Sequence, residues 1–175
     1  MIKCNYKNEY NYFLPYGSMM GVYKNNHYLL KEFGYYSNQE WRLVVEKGQR
    51  SDFPKLKFGS DIFPYTFPIN PYELSSVYWL SFRGVYRDIE VYVRGQDEKL
   101  SQLLLEPIDL YNAPIKELGI SPTGDDYYSG RFIFSVDEKE VPDVWEYREP
   151  IGGFQFNFAE PEKVYLKKDG VWINE

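Results

Sequence analysis

His27 is the only histidine and Cys4 the only cysteine among the 175 residues. Any Ser-His-Asp or Cys-His mechanism must therefore use that one imidazole. His27 directly follows the turn signal Lys24-Asn25-Asn26 and precedes Tyr28, a place that reads as turn-proximal surface. One His and one Cys would leave a transition-metal site almost wholly to carboxylates, and no cluster has ligand spacing. Asp125-Asp126 stands beside Gly124, but the alternating Asp-x-Asp-x-Asp-Gly of a calcium loop is absent, so the pair reads as loop. Paired acids would suit glycoside hydrolysis, yet 26 Asp and Glu side chains give sequence reasoning no way to choose a pair. The chain has no Gly-x-Gly-x-x-Gly, no P-loop and no Gly-x-Ser-x-Gly. No cofactor and no metal is expected.

Aromatics and acids are what remain. Eighteen Tyr, twelve Phe and four Trp make 19% of the chain, more large rings than a core of this size needs. Charge is unevenly spread: residues 1–60 carry net +4, 61–100 carry −2 and 101–175 carry −8, within a total of −6. Between Asp125 and Glu149, eight carboxylates face three bases, a local net charge of −5. Tyr127, Tyr128, Trp145 and Tyr147 interleave with those acids. Charge of one sign speeds encounter with an opposite surface, and a few aromatic anchors set how long the complex lasts. The expected partner-binding face is therefore Asp125, Asp126, Tyr127, Tyr128, Glu138, Glu140, Trp145 and Tyr147, offered to a basic protein. Glu138-Lys139-Glu140 has the Glu-x-Glu spacing of ADP-ribosyl transferases, but their accompanying Ser-Thr-Ser is missing. Nucleic acid is not an expected partner, because Lys and Arg lie scattered singly rather than in a basic stripe.

A small, acidic, aromatic chain, poor in cysteine and without catalytic motifs, is similar in general character to bacterial immunity proteins that inhibit partner toxins. That resemblance implies a non-enzymatic, intracellular inhibitor acting on a basic toxin-like protein. Two other classes compete with it. A carbohydrate-binding β-sandwich would use Trp and Tyr under sugar rings, and an enzyme would use a diffuse carboxylate or tyrosine site. The N-terminal residues Met1 to Asn11 lack the apolar run of a signal peptide. Leu74 to Phe82, the longest uncharged apolar stretch, is about half the ~20 residues that cross a bilayer. A cytoplasmic monomer or weak dimer that contacts no membrane is expected.

The elements that must position these residues read as β-rich: all-β or α+β, a mostly antiparallel sheet with one or two short helices in a single domain, 1–175. Met19 to Tyr23 and His27 to Phe33 form an opening hairpin, and Trp41 to Glu46 is a third strand. Ser51 to Tyr72, broken by Pro54, Pro64, Pro68 and Pro71, is edge strand or ordered loop. Ser76 to Arg83 and Ile89 to Arg94 form a central pair turned by Gly84 to Asp88. The first of these is apolar on both faces, so Trp79 is expected in the core. Asp97 to Glu106 reads as a helix, with Asp97 as N-cap, Leu100, Leu103 and Leu104 at helical spacing, and Pro107 as the stop. Ala113 to Leu118 is a second helix candidate, capped by Gly119. Ser121 to Ser129 is a loop. Arg131 to Val136, Val144 to Arg148 and Phe154 to Phe158 are strands, and Val164 to Lys167 with Val171 to Asn174 is a closing hairpin turned by Asp169-Gly170.

Overall fold

The computed structural model describes residues 18–33, 40–45, 65–97, 100–109, 112, 114–120, 132–154 and 160–173. The chain divides into two compact units, one from Gly17–Leu80 and Arg148–Pro161, the other from Ser81–Tyr147 and Glu162–Glu175. Every strand register within them is antiparallel, and the architecture is strand-rich, as the composition predicts.

In the unit of Gly17–Leu80, β1 (Ser18–Tyr23) and β2 (Asn26–Phe33) are joined by Lys24-Asn25, both at positive φ (50° and 63°). Two such residues in succession twist the turn in the sense that right-handed strands require. β3 (Glu40–Val44) and the short β4 (Thr66–Pro68) follow, and the first half of β5 (Ser76–Tyr86) completes the order β4-β3-β2-β1-β5. β4 is what the proline-broken stretch contributes here, while residues 51–64 lie outside the described part. Tyr28, Leu30, Leu43, Val45, Ile69, Leu74 and Val77 form the core on one face of this sheet. A 3-10 turn, Pro71–Glu73, is fixed by Asn70, whose side chain accepts the Tyr72 N–H at 3.1 Å.

The unit of Ser81–Tyr147 takes the second half of β5, then β6 (Ile89–Asp97), β7 (Gln102–Pro107), the one-turn helix α1 (Ile115–Leu118) and β8 (Phe134–Asp137). β9 (Val144–Pro150), β10 (Glu162–Lys168) and β11 (Val171–Trp172) close it. β6, β7 and β8 pair in sequence order, and β9 stands between β5 and β10. Leu103 and Leu105 on β7 are fully buried, and Val91, Val93, Val136, Val141 and Val144 are further buried apolar residues of this unit. Between Val93 and Gly95 the register slips by one residue, a β-bulge at Arg94.

Four expectations are corrected. Asp97 to Glu106 is not a helix: Asp97 accepts the Leu100 N–H in a turn that Ser101 closes at φ 52°, and Gln102 onward runs as a strand against β6. Leu103 and Leu105 face inward with the period of two that pairing imposes, and Leu100 is 64% exposed. The turn between β5 and β6 is Arg87-Asp88 (φ 50° and 61°), not Gly84 to Asp88. Gly84 lies within the strand, paired with Val91, where a Cβ would stand 2.8 Å from the Asp143 carbonyl oxygen. Trp79 is 39% exposed, while its neighbours Tyr78 and Leu80 are buried, so β5 alternates at this point instead of burying both faces. The second helix is real but short, and Gly119 ends it at φ 71° with its N–H on the Ile115 and Lys116 carbonyls. Phe154 lies in a bend, packed edge-on to Trp41 at 5.3 Å, and residues 155–159 of the expected strand lie outside the described part.

Candidate interaction surface

The acidic stretch is held by a 3-10 turn, Glu138–Glu140, between β8 and β9. Asp137 caps it, its Oδ1 accepting the Lys139 N–H at 2.9 Å. The Glu138 N–H reaches the Ser101 carbonyl at 2.9 Å, and Gln96 Nε2 donates to Glu138 Oε2 at 3.2 Å. Beneath the turn lies Lys167, 2% exposed. Its ammonium donates to the carbonyls of Glu138 at 2.5 Å and Val141 at 2.8 Å, and the Glu138 carbonyl also accepts the Val141 N–H at 3.3 Å. Burial pushes the Lys167 ammonium below its ordinary pKa, and the nearby carboxylates of Glu138, Asp137 and Asp143 oppose that shift.

The β10–β11 tip docks beside this turn. The Asp169 N–H donates to Asp143 Oδ1 at 2.9 Å, and the Gly170 N–H donates to the Pro142 carbonyl at 2.9 Å. Asp137, Glu138, Glu140, Asp143 and Asp169 thus meet at one corner over a single buried cation. Asp137, Glu140 and Asp169 are exposed, and Glu140 makes no ion pair among the described residues. Next to the tip, Val171 is 68% and Ile173 50% exposed, so the corner carries apolar contact area at its border.

The other expected residues divide. Tyr147 is half-buried, and its ring carries the Arg83 guanidinium at 3.6 Å. Trp145 is 2% exposed, with Lys163 over its face at 4.3 Å and Tyr165 at 6.0 Å between ring centroids. It is a packing residue and takes no part in a surface: Val144 and Trp145 are both buried, so β9 is covered on both faces at this point. Asp125, Asp126, Tyr127 and Tyr128 lie outside the described residues. Glu138 and Glu140 are therefore the expected acids that the structure brings together.

Sequence reasoning missed Gln96, Lys167, Asp143 and Asp169 as the residues that shape the corner. Asp169-Gly170 was legible as a turn, and that was the available signal. Nothing local marks Lys167 as different from Lys168, since its carbonyl partners lie more than twenty residues away. His27 is exposed near the start of β2, where the sequence puts it, and its Nδ1 lies 2.6 Å from the Tyr78 hydroxyl. Among the described residues no three His, Cys, Asp or Glu side chains gather as metal ligands would, and no helix is long and apolar enough to cross a membrane. Neither a family model, nor a curated protein, nor a solved structure matches the chain.

Proposed function

We propose that the chain is a non-enzymatic, intracellular protein-binding domain that docks the corner of Glu138–Glu140 and Asp169 on a basic protein partner, in the manner of an immunity-type inhibitor. One observation carries this reading: Lys167 is buried beneath the turn and bonded to its carbonyls, so the carboxylates above it are held in place and presented to solvent. Fixed charges steer a partner without the ordering cost that a mobile loop would impose. Val171 and Ile173 supply the contact area that charge alone does not.

The test is capture of the partner from the source cell, followed by association and dissociation kinetics at two salt concentrations. Reversing Glu138 and Glu140 to Lys slows association about tenfold or more and flattens its salt dependence. Changing Val171 and Ile173 to Ser speeds dissociation and leaves association nearly unchanged. If the captured partner binds a folded quadruple variant as well as it binds the wild type, the reading fails. Specific retention on a sugar resin would put the carbohydrate reading in its place, with Trp79 and the 82% exposed Tyr72 as its stacking candidates.

A further inference from the structure

A cavity of about 370 Å³ opens in the unit of Ser81–Tyr147, using none of the residues of the acidic corner. Ligand pockets run roughly 300–1,000 Å³, so this one suits a small molecule. Ile89, Pro107 and Ile108 give it apolar walls, and Arg83, Glu90 and Asp109 give it charged ones.

Arg83 is unusually constrained. Its guanidinium stacks on Tyr147 at 3.6 Å, Nη1 donates to Glu90 Oε1 at 2.8 Å, and Nε reaches Ser81 Oγ at 3.4 Å. Only 17% of the side chain is exposed, and Nη2 has no partner among the described residues. A guanidinium already held in one rotamer loses little entropy when a carboxylate takes its remaining N–H groups. The opposite charge is also present. Glu90 Oε2 is 4.0 Å from Lys163 Nζ, beyond hydrogen-bond distance. Asp109 is oriented by Asn112, which donates to it from N at 3.1 Å and from Nδ2 at 2.8 Å.

We propose that this cavity binds a small apolar α-amino acid as its zwitterion. The carboxylate lies on Arg83 Nη2, the ammonium faces Glu90 and Asp109, and the aliphatic side chain packs on Ile89, Pro107 and Ile108. Either charge alone fits less well, because a lone carboxylate meets the two acids and a lone ammonium meets Arg83.

The test titrates isotope-labelled protein with leucine, N-acetyl-leucine and leucinamide while backbone amide shifts are followed. Leucine gives saturable shifts at Ile89, Glu90, Ile108, Asp109 and Asn112, and each single-charge analogue binds about tenfold more weakly. Arg83→Gln weakens leucine about tenfold or more, the size expected for a hydrogen bond to a charged group. Since Arg83 also supports Tyr147, Asp109→Asn on its exposed loop provides a second variant: it weakens leucine and does not weaken N-acetyl-leucine. Absence of saturable shifts, shifts confined to other residues, or an analogue that binds as tightly as leucine would each overturn the proposal.

Discussion

Two cations anchor the unit of Ser81–Tyr147, and they do so in opposite ways. Lys167 is a compact ammonium sunk beneath a turn, where it meets backbone carbonyls and leaves the carboxylates above it to solvent. Arg83 is a flat guanidinium laid against Tyr147 and tied to a carboxylate, Glu90. Near Lys167 the acids keep their charge available; near Arg83 the acid is already paired through one of its oxygens. The acids of this chain are thus not equivalent, and a count of them by sequence window overstates what a partner would meet. Glu106, paired with Arg94 in the interior, belongs with Glu90, whereas Glu140 belongs to the corner. The chemistry of the two side chains explains the division, since a guanidinium stacks and pairs in a plane while an ammonium gathers carbonyls around a point.

The largest way to break this arrangement is through the rings. Trp145→Ala empties a fully buried site beside Tyr165 and beneath Lys163, and chemical denaturation should show a loss of about 3–5 kcal/mol. Trp79→Ala in the other unit should cost distinctly less, because that residue is 39% exposed. Similar losses for the two would mean that burial is not what separates them.

A smaller effect separates the two anchors. Lys167→Met keeps the apolar stem but takes the ammonium from both carbonyls, leaving that of Glu138 only the Val141 N–H, at a cost of about 2 kcal/mol in the same measurement. The amide of Lys139 and those around the turn should also exchange faster with solvent. Unchanged exchange there would show that the ammonium does not hold the turn.

The smallest effect is in pH. Because burial lowers the pKa of Lys167 in the folded chain, the unfolded chain holds that proton more tightly, and folding bears the cost in full below the folded pKa. As pH rises toward 10.5 the folded state releases the proton first, so the wild type should gain stability relative to Lys167→Met as pH climbs from the lowered folded pKa toward 10.5. Taking the difference against that variant cancels what the rest of the chain contributes. A difference that stays flat or shrinks would contradict the lowered pKa.

Much of the strand order of events was legible. Asn25 and Asp169-Gly170 announce turns through residues that tolerate positive φ, and the structure has turns at both. The misread helix shows the limit. Leu100, Leu103 and Leu104 have helical spacing, but Leu103 and Leu105 find Gln96 and Val93 opposite them on β6, and pairing across the hairpin outweighs local propensity. Trp79 failed for a related reason, because alternating apolar residues do not say which face of β5 is covered. The corner was half legible: Glu138 and Glu140 stand out by charge, while the lysine that supports them is visible only once β10 lies beneath the turn.

The bulge at Arg94 makes the length of β6 as informative as its composition. One extra residue there shifts the phase of the strand, so that Val93 and Gln96, three apart, both sit opposite buried leucines, Leu105 and Leu103. Removing that residue would leave Val93 and Gln96 two apart and still opposite Leu105 and Leu103, restoring an uninterrupted ladder with the register beyond it intact. Losing Gln96 instead would bring Asp97 opposite Leu103 and remove the donor to Glu138. The register of β6 should thus tolerate a deletion at residue 94 better than one at residue 96.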